Sequence, residues 1–113
     1  HFCKFHLILP PDLLYILYAA EHCFIIHRAS KKIQRTSVGD ICSRFFDVEG
    51  RVCNRDLDER TVGITLSELR HKEDSIVISG GEGKINAIKA ALRGRYANVL
   101  ITDQFTGKAL LED

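Results

Sequence analysis

No methionine occurs in the 113 residues, and the chain opens on His1. A complete translated protein of this length ordinarily holds methionine, so the sequence reads as a fragment. Also missing is any apolar run approaching the roughly 20 residues that a membrane helix needs, so no bilayer span is expected. Charge of one sign is lacking too: 16 Lys and Arg face 15 Asp and Glu, a formal net charge of +1. Such a chain exerts no long-range pull on nucleic acid or anionic lipid, and any DNA contact must be local or lie in another domain. Cys3, Cys23, Cys42 and Cys53 form no C-x-x-C pair and follow no secretory leader. Reduced cytosolic thiols are therefore expected rather than a disulfide framework. His1, His6, His22, His27 and His71 do not converge with those cysteines as zinc ligands would, and neither metal nor cofactor is expected. Repeats and low-complexity stretches are absent as well. What is left is an ordinary globular composition, 45% apolar and 27% charged, in a chain with room for one domain.

The richest stretch is 75–103, SIVISGGEGKINAIKAALRGRYANVLITD. Strand, glycine turn, helix and strand follow in the order of a βαβ unit, whose first turn faces a crevice at the strand ends. Ile76, Val77 and Ile78 form a continuous β-branched run, as in a central strand covered on both faces. Gly80, Gly81 and Gly83 permit close approach of a ligand to the backbone, and the free N–H groups that open a helix attract an anion. Lys84 adds a positive charge beside them; the bland alternative is a solvated lysine that opposes the helix dipole. Ile85, Ile88, Ala91 and Leu92 recur at helical spacing, and Gly94 is expected to stop that helix. A second strand is expected over 98–102, with Asp103 capping a last helix through Leu111.

Upstream, Thr65 and Glu68 have capping-box spacing, which predicts a short helix with Leu66 and Leu69 inward. Glu49-Gly50 between apolar groups predicts a turn joining two short β segments. Pro10-Pro11-Asp12 followed by Leu13, Leu14, Ile16, Leu17 and Ala20 reads as the start of an apolar helix, with a strand over 23–26. The stretch 28–35, basic at Arg28, Lys31, Lys32 and Arg35 without an acid, reads as a solvated loop, the alternative being a basic patch.

Several ordered blocks together spell a family. The run VGDICSRFFD over 38–47 with Gly50, then Val62-Gly63-Ile64 leading to Leu66 and Leu69, then Gly80-Gly81-Glu82-Gly83-Lys84, Ala87-Ile88, 90–94 and 99–103 resembles the C-terminal part of the sugar-binding domain of SorC-type bacterial transcription regulators. The match covers about two thirds of the chain, 38–113, while 1–37 fits poorly and resembles a truncated or interrupted segment. The resemblance implies an α/β fold: a partial Rossmann-like sheet with flanking helices, similar to ribose-phosphate isomerase and glucosamine-phosphate deaminase. It implies a cytoplasmic effector-binding part of a regulator rather than an enzyme, a phosphorylated sugar as effector, and a homo-oligomer in the intact family member. DNA would be bound only through a helix-turn-helix domain that this chain has no room for.

Residue by residue, the resemblance places Asp40 at an acidic position that contacts effector hydroxyls and Lys84 at the anion-binding lysine, with Gly80 and Gly81 giving backbone approach. A carboxylate accepts hydrogen bonds from vicinal hydroxyls and an ammonium pairs with phosphate, so both types suit a sugar phosphate. On chemistry alone Asp40 is equally a turn residue after Gly39. Asp103 is read as a helix cap, not a ligand contact. Two other readings stay open: an isomerase or deaminase drawing on Asp40 and Glu82 as acid and base, and a truncated product with no function of its own.

Overall fold

The structure, a computed structural model, describes residues 5–6, 33 and 35–112. The helix expected from Asp12, the strand over 23–26 and most of the basic stretch lie outside them. The end of that stretch, read as a loop, is helical at Ile33 and Arg35, and Ile33 is buried against Phe45.

Three strands, β1 (Phe5–His6), β4 (Ile76–Ile78) and β5 (Val99–Ile101), form a parallel sheet in the order β1-β4-β5. The expected adjacency of the last two holds, with Ile76 opposite Val99 and Ile78 opposite Ile101. Full burial of β4 does not: Val77 is 1% exposed but Ile78 is 42% exposed. Side chains alternate across a strand, so Val77 and Leu100 share the face that packs on the helical core, whereas Ile78 and Ile101 share the other, open among the described residues.

Between β4 and β5 runs a 3₁₀ turn, Glu82–Lys84, and then α3 (Ile85–Arg93). Its buried stripe is centred on Ala87, Ala90 and Ala91, with Ile88 at one side. Leu92 falls beyond the stripe's edge and is exposed, contrary to the inward position expected from spacing. The helix ends at Arg93 as expected, yet Gly94 keeps right-handed backbone (φ −70°) and Arg95 makes the left-handed turn (φ 60°). Glycine is required at 94 for a different reason, since a Cβ there would collide with the Tyr96 ring.

A hairpin of β2 (Ser37–Ile41) and β3 (Arg44–Asp47) packs against α3. Its two linking residues, Cys42 and Ser43, both take positive φ (52° and 65°), the signature of a tight primed turn. This corrects the expected pairing: a turn does form around Gly50, but beyond it β3 gains only the single bridge Phe46 to Val52, and its main partner is β2. Two short helices follow, α1 (Arg55–Arg60), capped by Asn54, and α2 (Leu66–Arg70), whose Thr65–Glu68 capping box is formed as expected, with Leu66 and Leu69 buried. The buried Arg44 guanidinium ties their linker to β3. It donates to the carbonyls of Asp58, Thr61 (2.8 Å), Gly63 (3.1 Å) and Ile64 (3.1 Å) and pairs with the Asp58 carboxylate at 3.3 Å, so its charge is not left uncompensated.

A second polar knot joins α2, the hairpin end and the end of α3. Tyr96 is buried and donates its hydroxyl to the Gly50 carbonyl, while Arg70 donates to the Gly94 carbonyl (2.7 Å) and the Tyr96 hydroxyl (3.2 Å) and lies 4.9 Å from the ring centroid. The last helix is α4 (Gln104–Leu111). Among the described residues no helix is long and apolar enough to cross a membrane.

Candidate functional site

Parallel strands send their C-terminal ends to one edge of the sheet, where turns can face a ligand. At that edge the Ser79 N–H extends the β4–β5 pairing by donating to the Ile101 carbonyl (3.1 Å), and the chain then turns through Gly80 and Gly81. Gly81 takes φ +107°, a conformation that side-chain-bearing residues rarely adopt. Lys84 follows one turn later, its N–H bonded to the Gly81 carbonyl at 3.0 Å. Neither the 3₁₀ turn nor α3 has a side-chain cap, and α3 has no acid in its first turn. Such a start directs the partial positive charge of the helix N-terminus outward, with Glu82 in the 3₁₀ turn beside it. Lys84 is half-buried, and among the described residues its ammonium makes no ion pair.

Beside the turn, β5 ends in Thr102 and Asp103. The Asp103 carboxylate caps α4, accepting from the N–H groups of Phe105 (3.0 Å) and Thr106 (2.9 Å). Its other oxygen accepts from the Thr106 hydroxyl at 2.7 Å, and that hydroxyl accepts from the Gly81 N–H at 2.8 Å. The hydrogen bonds from the Thr106 hydroxyl and backbone hold the Asp103 carboxyl below the usual carboxylate range. Gly80 has no side chain for a direct reason: a Cβ there would strike the Asp103 carboxylate. The hydroxyls of Ser79 and Thr102 are buried at the same strand ends without a hydrogen-bond partner among the described residues. A buried hydroxyl in that state carries a desolvation cost that a new partner would relieve.

Of the residues expected to form the site, Gly80, Gly81 and Lys84 come together in this one turn. Asp40 belongs to the hairpin instead. It is 5% exposed, and one carboxylate oxygen accepts the Ser43 N–H at 2.9 Å, bracing the tight turn. Its strand packs against α3, the helix that Lys84 opens. Glu82 is exposed. Asp103 is the helix cap it was read as, but it also touches the glycine turn through Thr106. Ser79, Thr102 and Thr106 were not anticipated; the signal for the last was the spacing Asp103-x-x-Thr106, in which a cap's side chain meets the third residue of its helix. No group of three or more His, Cys, Asp and Glu that could hold a metal occurs among the described residues.

A small parallel sheet with a glycine turn, a lysine and a hydroxyl relay at its strand ends defines a mixed α/β domain. Residues 19–112 match the family described as "Putative sugar-binding domain". The chain is 51% identical over 81 residues to the deoxyribonucleoside regulator of Bacillus subtilis, which is 72% of this chain and 26% of that protein. To the sorbitol operon regulator of Klebsiella pneumoniae it is 42% identical over 78 residues, 69% of this chain and 25% of the relative. Among solved structures, the full-length sorbitol operon regulator SorC from Klebsiella pneumoniae superposes with a TM-score of 0.78 at 34% identity, covering 95% of this chain and 34% of that one. A transcriptional regulator from Streptococcus pneumoniae gives 0.82 at 29% identity, over 96% of this chain and 41% of the other. The chain belongs to the sugar-binding domain family of SorC-type transcriptional regulators. It spans about a quarter of the length of these curated relatives.

Proposed function

We propose that this chain is the effector-binding part of a bacterial transcription regulator and takes a phosphorylated sugar at the turn between β4 and α3. The observation that carries the reading is the uncapped glycine turn at the end of a parallel strand with Lys84 half-buried beside it. Backbone N–H groups and an ammonium in that arrangement suit the phosphate. Asp40, on the strand that packs against α3, serves the sugar hydroxyls in this reading, and Gly80 and Gly81 let the ligand reach the backbone. The parallel pairing of β1, β4 and β5 supports a Rossmann-like sheet similar to that of ribose-phosphate isomerase and glucosamine-phosphate deaminase.

The role is binding, not catalysis. Of the acids an isomerase would draw on, Asp40 is engaged by its own turn and Glu82 is exposed, whereas a general base must be positioned against the substrate carbon. DNA contact belongs to a separate domain of a cytoplasmic, homo-oligomeric regulator. Calorimetric titration with a panel of sugar phosphates, the matching free sugars and inorganic phosphate tests this. Saturable binding that requires the phosphate is expected, and heats indistinguishable from dilution for every sugar phosphate would refute it.

A further inference from the structure

The Gly81 N–H is a backbone donor of the glycine turn, and in this structure a side chain of the protein occupies it. The Thr106 hydroxyl accepts from Gly81 (2.8 Å) and simultaneously donates to the Asp103 carboxylate (2.7 Å). An oxygen that accepts from an N–H and donates to a carboxylate has the two-way bonding of an alcohol. A bare phosphate oxyanion can fill only the accepting half of that role, and beside the Asp103 carboxylate it would meet like charge.

We propose that the Thr106 hydroxyl holds the place of a sugar hydroxyl, which displaces it between Gly81 and Asp103 when ligand binds. This rests on the reading of the glycine turn as the ligand site and adds the polyol as the feature read at its far side. The exchange is close to isoenergetic in hydrogen bonds, since each one lost is replaced by one of the same kind. Asp103 keeps its cap meanwhile, because its other oxygen holds Phe105 and Thr106 through their N–H groups. Displacement of the hydroxyl therefore cuts the tie between the glycine turn and the first turn of α4 without unravelling the helix, and α4 reports occupancy of the site. As α4 also packs against α3, the two helices that flank the turn respond together.

The test titrates wild type, Thr106→Val and Thr106→Ser with ribose 5-phosphate, glucose 6-phosphate, fructose 6-phosphate and inorganic phosphate, following affinity and the backbone amide resonances of Gly81, Phe105 and Thr106. Valine keeps the shape of the side chain and removes the competing hydroxyl, and Gly81 is exposed enough for water to satisfy its N–H. We expect a sugar phosphate to shift Gly81 and Thr106 together in wild type and to bind Thr106→Val roughly 10-fold more tightly or better, because two protein hydrogen bonds, one of them to a carboxylate, no longer have to be given up. Thr106→Ser should match wild type, and inorganic phosphate should gain nothing from the valine. A sugar phosphate that shifts Gly81 but leaves Thr106 unmoved, or equal affinity in wild type and Thr106→Val, overturns the displacement while the ligand site stands. If no compound moves Gly81 in any of the three proteins, the ligand site falls and the displacement with it.

Discussion

Replacing Gly50 by alanine tests whether the hairpin end and α3 meet backbone to backbone. Gly50 takes φ +81°, and a Cβ built on it would lie 2.6 Å from the Ala90 carbonyl oxygen and 2.6 Å from the Gly94 amide nitrogen. Ordinary contacts of this kind are near 3.4 Å or longer, and the atoms in the way are main chain, so no rotamer change relieves them. Left-handed strain costs about 1–3 kcal/mol and overpacking a further 1–3, which puts Gly50→Ala at about 2–6 kcal/mol destabilised. Separation of the two backbones also breaks the hydrogen bond from Tyr96 to the Gly50 carbonyl. Against a typical domain stability of about 5–15 kcal/mol that is a large share, with a fall in Tm of about 10 °C or more. Urea denaturation followed by far-UV circular dichroism measures it, with Gly83→Ala as control. Gly83 has open space at its Cβ position and no positive φ, so that change should stay within about 0.5 kcal/mol of wild type. A loss below about 0.5 kcal/mol for Gly50→Ala would refute the close approach.

Two further outcomes follow from the polar networks. Burial raises the Tyr96 phenol above 10.0, against the opposing charge and hydrogen bond of Arg70, so the folded state holds this proton more firmly than the unfolded chain. Its contribution to stability is full below pH 10.0 and is lost as pH rises from there through the folded value. Tyr96→Phe should be less stable at neutral pH by about 1–3 kcal/mol and show a shallower alkaline decline in denaturant titrations; an unchanged decline would contradict the buried phenol. Gly80→Ala should push the Asp103 carboxylate off the start of α4 and cost about 0.5–2 kcal/mol, the worth of a helix cap, with faster amide exchange at Phe105 and Thr106. Full retention of their protection would show that the carboxylate moves aside freely.

The β4–turn–α3–β5 unit was legible in the sequence because its signals are local: β-branched runs, a glycine cluster, helical spacing and an aspartate at a cap position. The same holds for α2, whose capping box forms as its spacing predicts. The hairpin was harder. Its turn residues Cys42 and Ser43 take positive φ without the Asn or Gly that normally marks such a turn, and it is held by α3 from outside and by its own Asp40 carboxylate on Ser43. Long-range contact also decided the glycines, since Gly50 and Gly94 answer to each other and to Tyr96 rather than to local turn chemistry. The glycine turn was visible from composition at Gly80, Gly81 and Lys84. The hydroxyl relay was not, because it joins Gly81 to a residue 25 positions further on. α1 was missed although Asn54 followed by Asp56 and Asp58 carries a start signal.

The most direct test of the central claim compares wild type with Lys84→Ala by calorimetric titration with the sugar phosphate that binds most tightly. Lys84 is half-buried and makes no ion pair among the described residues, so its removal disturbs no fold contact of that kind. Loss of a hydrogen bond to a charged phosphate should weaken binding by about 1.5–3 kcal/mol, roughly 10- to 150-fold, with the unfolding midpoint unchanged. Equal affinity in the two proteins would contradict the account and leave Lys84 a surface lysine on a turn that binds no phosphate.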